Sequence, residues 1–148
     1  MHAPKVNRGP GYGTDGRGCG NSMAGRRQGK RDTEKRNIMG LSRREKKAVG
    51  LFKARLAERL PDEKVELLLF GSKARGDDRG GSDIDLMALM ESRGLSVVND
   101  VYRALTETSL ATDVYNISVK ALSRREFSNM KQRRTSFVCN VLKDAVPV

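Results

Sequence analysis

The sequence predicts a small α/β (α+β) domain, a mixed sheet of about three to four strands with helices on one face. Three observations carry this. Two S-x-x-E segments, starting at Ser42 and Ser123, have the form of capping boxes that open helices. Between them, short apolar or alternating runs have the length and period of strands. Gly71 and the loop-forming GDDRGGS of residues 76–82 separate these runs.

In chain order, Ser42 and Glu45 cap a helix whose Ala48, Leu51, Phe52, Leu56 and Leu60 recur at steps of three and four, and Pro61 closes it. Residues 64–70 are nearly all apolar, the pattern of a strand buried on both faces. Residues 83–90 alternate carboxylate or Met against Ile and Leu and form a second strand. Leu95, Val98, Val101, Tyr102 and Leu105 mark a second amphipathic helix, and residues 113–122 a third strand. Ser123 and Glu126 cap another helix, and Phe137, Val138, Val141 and Leu142 share one side of a short docking helix that ends by Pro147. There is no internal repeat.

Composition narrows the function. The 148 residues include 37% hydrophobic and 32% charged side chains, and no apolar run approaches the roughly 18 residues that span a bilayer. With no secretory-type apolar stretch near the N-terminus, a cytoplasmic location without membrane contact is expected. Cys19 and Cys139, far apart in the chain, read as free thiols. The single histidine, His2, stands at the chain end, where no general base is held in place, so Ser-His and Cys-His chemistries are excluded. Residues 1–40 hold nine Lys or Arg against three Asp or Glu and nine of the 15 glycines. They read as a disordered basic extension ahead of a domain at 41–148. Nucleic-acid contact through this extension is not favoured, because Tyr12 is its one stacking aromatic. An extension without function, or a true start at Met39, is the preferred reading.

The chemistry concentrates in LFGSKARGDDRGGSDIDLMAL, residues 69–89. A strand ending in Gly71-Ser72, followed by the helix-compatible Lys73-Ala74-Arg75, turns backbone N–H groups toward a phosphate, and Ser72 adds a hydroxyl donor. Asp83 and Asp85, two apart on a strand, leave it on one face. Two carboxylates so close repel unless a cation lies between them, and a hard ion such as magnesium takes carboxylate and phosphate oxygens together.

G-S, then Ala-Arg-Gly, then Ser-Asp-Ile-Asp-Leu, with an apolar strand on each side, resembles the signature of the nucleotidyltransferase superfamily that includes the DNA polymerase beta catalytic domain. The resemblance covers roughly residues 41–148 and is nearest to minimal nucleotidyltransferases, small domains often paired as antitoxins with a helical HEPN-type toxin. It implies that Gly71 and Ser72 bind a nucleoside triphosphate, with ATP as the substrate, and that Asp83 and Asp85 bind two Mg2+ ions and are the catalytic pair. Arg75 is implied as a phosphate ligand, while Lys73 reads as a solvated charge. The implied reaction is transfer of AMP to a hydroxyl of the partner protein.

One departure stands out. The superfamily usually has a third carboxylate on a neighbouring strand. Here Asp113 has the wrong parity for the shared face unless it precedes the strand and swings round, and Asn116 has the better parity but no charge, so the third ligand is either Asp113 or missing. This keeps an alternative open, an antitoxin that acts by binding and occluding its toxin.

Overall fold

The computed structural model describes residues 40–148, so the basic extension, with His2, Tyr12, Cys19 and Met39, lies outside the described residues. The order is α1 (Arg43–Arg59), β1 (Glu66–Phe70), α2 (Ser72–Arg75), β2 (Ile84–Met90), α3 (Leu95–Thr112), β3 (Ile117–Ser123), α4 (Arg124–Gln132), α5 (Ser136–Asp144) and β4 (Val146–Pro147). Both capping boxes are formed. Ser42 and Ser123 accept from the backbone N–H of Glu45 and Glu126, whose carboxylates accept from the cap N–H groups in return. These two signatures locate the starts of α1 and α4 because they satisfy orphan donors at each helix end.

The sheet is mixed, in the order β3-β2-β1-β4. The β1 strand runs antiparallel to both β2 and β4, while β2 and β3 are parallel. Alternation divides its side chains. Leu67, Leu69, Ile84, Leu86, Ala88, Met90, Val119 and Ala121 point to one face, where they meet Ala48, Phe52 and Leu56 of α1 and Val101 and Ala104 of α3. A side chain as fully buried as Phe52 or Leu69 contributes about 1.5 to 3 kcal/mol by leaving water. Thr108 is also buried there, and its Oγ1 donates to Ala104 O at 2.7 Å, which satisfies the hydroxyl within its own helix.

The fold class agrees with the sequence reading, but the placing of helices does not. Leu68, Met87 and Leu89 on the opposite face are buried too, against Phe127 of α4 and Phe137 and Val141 of α5. Helices therefore flank both faces. The carboxylates at the start of β2 disguise a strand that is otherwise apolar on each side. Two details of α3 also differ. It continues to Thr112, and Leu95 and Tyr102 are exposed rather than core, since Val101, Ala104 and Thr108 form its inner stripe. Cys139 is not the free thiol that the sequence suggested, and Cys19 lies outside the described residues.

Candidate active site

The end of β1 and the start of β2 meet where the sequence motif predicted chemistry. Phe70 stands opposite Asp85 in the antiparallel register. Gly71 follows at φ 76°, a left-handed conformation in which a side chain is strained. It also has no room for one. A Cβ there would lie 2.8 Å from Asp85 Oδ2, so the Gly71 backbone rests directly against that carboxylate. Ser72 opens the four-residue α2, whose Gly76 N–H closes on Ser72 O at 2.9 Å. The glycine-serine turn and the second carboxylate of the D-x-D pair are thus in direct contact.

Asp83 is exposed just ahead of β2, and Asp85 is half-buried within it. Burial, with the nearby charge of Asp83 adding to it, holds the Asp85 carboxyl above the usual carboxylate range. Neither carboxylate forms an ion pair with a Lys or Arg among the described residues.

The neighbours of the pair differ from the sequence reading. Lys73 is not a solvated charge. Its side chain is 5% exposed, with Nζ 3.1 Å from Glu45 and 2.8 Å from Asp78. Burial by itself would lower the ammonium pKa, but the hydrogen bonds to Asp78 and Glu45 outweigh it and hold the group above its usual range. Arg75 is exposed and bonded to Asp77 at 3.0 Å and Asp144 at 2.7 Å.

Asp113 is no third member of the pair. It caps the C-terminus of α3 at φ 55° and pairs with Arg44 at 2.6 Å. Together with Glu45, Lys73, Asp78 and Asn116 it lines a separate cavity of about 530 Å³. Asn116 precedes β3, and its Nδ2 donates to Ser82 O at 3.1 Å. The residue beside Asp85 in the parallel β2-β3 register is Ser118. Among the described residues, no three His, Cys, Asp or Glu side chains cluster as a metal site.

A second cavity, of about 390 Å³, opens next to Gly71 and is lined by Arg75, Phe137, Asn140, Lys143 and Asp144 among others. Its α5 wall carried no signal in the sequence, since Arg75 and Asp144 lie 69 residues apart. Ser118, by contrast, could have been found by aligning the polar parity of β3 with that of β2.

Comparison with known proteins gives the family. The family model described as nucleotidyltransferase domain matches residues 50–139, which span β1, the glycine-serine turn, β2 and β3. The chain belongs to this family of nucleotidyltransferase domains. A crystal structure from Sulfolobus solfataricus, provisionally assigned as a nucleotidyltransferase, is similar at 21% identity with a TM-score of 0.46, over 84% of this chain and 89% of that one. No curated protein matches. In this nucleotidyltransferase the matched region ends before Asn140, Lys143 and Asp144, so part of the wall beside Gly71 lies outside the family pattern. No helix among the described residues is long and apolar enough to cross a membrane.

Proposed function

We propose that this nucleotidyltransferase domain moves a nucleotidyl group from a nucleoside triphosphate, with ATP as the substrate, to a hydroxyl of a second macromolecule. The observation that carries this reading is the contact of Gly71 with Asp85, which leaves no space for a Cβ between turn and carboxylate. A phosphate held on the turn by backbone N–H groups and the Ser72 hydroxyl lies within reach of the acidic pair. Arg75, which lines the cavity next to Gly71, neutralises phosphate charge with its planar fork.

The donor set fits a hard divalent cation. Asp83 and Asp85 offer only carboxylate oxygens, and the repulsion between them is relieved by a positive ion. Mg2+ bound there supplies charge neutralisation to the phosphates and to the departing pyrophosphate. The remaining work belongs to the chain. The Gly71-Ser72 turn fixes the triphosphate, β1 and β2 keep turn and carboxylates rigid, and the buried Lys73 anchors α2 so that Ser72 and Arg75 keep their places.

Resemblance implies a helical HEPN-type protein as acceptor, with the chain acting as its antitoxin. Ser118 in the position beside Asp85 favours a second reading, an antitoxin with weakened catalysis that works by occlusion. Titration of a fluorescent ATP analogue, with and without Mg2+, tests the catalytic site. The wild type is expected to bind in a metal-dependent way, and Asp83→Asn with Asp85→Asn to lose that dependence at unchanged melting temperature. Metal-dependent binding that survives the double substitution removes the assignment. Intact mass of a co-expressed helical partner separates transfer, which adds AMP, from occlusion, which adds nothing.

A further inference from the structure

The helix that follows the glycine-serine turn cannot hold its own place. The four residues of α2 are too few for a helix to be stable by itself, and no side chain caps its start. Its position comes from what packs against it. Two of those contacts come from one short stretch, the residues just ahead of α1 and its first turn.

Gly40 is buried against the α2 backbone. A Cβ on Gly40 would lie 1.9 Å from Lys73 O and 2.8 Å from Lys73 C, well inside the 3.4 Å at which ordinary contact begins. The obstacle is main chain, which has no flexible end to swing aside. Only a residue without a side chain lets the two backbones meet there. Five residues on, Glu45 lies 3.1 Å from Nζ of the same lysine, with Asp78 of the 76–82 loop at 2.8 Å. Leu41, between these two contacts, is 6% exposed and belongs to the main core, against which Ala74 of α2 also packs. Gly40, Leu41 and Glu45 all precede the residues 50–139 that the family model matches.

Resting on the transferase reading above, we propose that the start of α1 positions the triphosphate site: Gly40 sets the depth at which α2 sits, and Glu45 holds it there through Lys73, the neighbour of Ser72. When the two backbones are forced apart, α2 is the side that yields. Leu41 is anchored in the core and Ser42 in its capping box, whereas α2 runs at Gly76 into a largely exposed loop. A shift of α2 carries Ser72 with it, and hydrogen bonds to a phosphate weaken beyond about 3.2 Å. Asp85 is held in β2 between β1 and β3, so the carboxylate stays while the turn moves against it. Gly40 and Glu45 are positioning residues, since neither reaches the nucleotide itself.

The test compares Gly40→Ala, in the full chain, with Gly50→Ala and with the two combined. Gly50 lies inside α1 with open space where a Cβ would go, so alanine there favours the helix and raises the melting temperature without touching the site. The combined variant therefore carries the Gly40 defect at a stability nearer that of wild type. The readouts are hydrogen exchange and nucleotide affinity. The N–H groups of Arg75, Gly76 and Asp77, which close α2 on Gly71 O and Ser72 O, should exchange about tenfold faster in the combined variant, with β2 and β3 protected as in wild type. Affinity for a fluorescent ATP analogue with Mg2+ should fall about tenfold. Gly50→Ala alone should change neither. Glu45→Gln keeps an acceptor for the capping box and removes only the charge beside Lys73, so it should move both readouts in the same direction by less. Wild-type exchange in α2 of the combined variant overturns the proposal. So does wild-type affinity beside faster exchange, which confines Gly40 to a structural role. If no Gly40 variant folds, Glu45→Gln decides by the same two readouts. Absence of analogue binding in the wild type counts against the transferase reading, and exchange then still decides whether the start of α1 holds α2.

Discussion

Two acidic clusters, Glu45 with Asp78 and Asp83 with Asp85, are built on opposite terms. Glu45 and Asp78 share the buried ammonium of Lys73, each within 3.1 Å of it. Asp83 and Asp85 share only each other. In the first cluster the pairing holds both carboxyls below the usual range: hydrogen bonds from Ser42 and Lys73 overcome the burial of Glu45, and the Lys73 bond dominates at Asp78. In the second, burial and the neighbouring acid push Asp85 up. The first is complete within the chain and ties α1, α2 and the 76–82 loop together. The second has no basic partner among the described residues, which fits the proposed binding site rather than the scaffold.

Removing the lysine should break this contrast most visibly. Lys73→Met leaves Glu45 and Asp78 without their cation and is expected to cost about 2 to 3 kcal/mol, somewhat below the loss for a fully enclosed pair because Asp78 belongs to an exposed loop. Chemical denaturation of the variant measures it. A change near zero would mean that the cluster contributes nothing to stability.

Adding a carboxylate sharpens the other side. Ser118→Asp sets a third acid beside Asp85, and should tighten Mn2+ binding about tenfold, equal to about 1.4 kcal/mol, while lowering the metal-free melting temperature. Calorimetric titration with Mn2+ and melting in chelator read the two effects. If Ser118 points away from the pair, both are absent.

The smallest expected effect is in the acid limb of stability. Glu45 and Asp78 have folded pKa values below their unfolded ones, so their contribution is fully present above the ordinary carboxylate pKa of about 4 and is lost as pH falls through the folded values. Lys73 works in the opposite direction: its contribution is present below the ordinary lysine pKa of about 10.4 and is lost as pH rises through the raised folded value. Melting temperature between pH 2 and 6 should therefore fall less steeply in Lys73→Met than in wild type. Parallel curves would show that other carboxylates govern acid unfolding.

The sequence by itself determined what depends on local geometry. Capping boxes at Ser42 and Ser123 fixed two helix starts because a cap acts over three residues, and the close spacing of Asp83 and Asp85 keeps the charge of one near the carboxyl of the other. The glycine-serine turn was legible for the same reason, since only Gly tolerates both the left-handed φ and the approach of Asp85. Tertiary structure decided what depends on partners far along the chain. It enclosed Lys73 between Glu45 and Asp78, joined Arg75 to Asp144, and covered the sheet face of Met87 and Leu89 with α4 and α5. It also set Ser118 beside Asp85. Charge and hydrophobicity are properties of single residues, but burial and pairing belong to the packing of elements against one another, and no local pattern states which elements will meet.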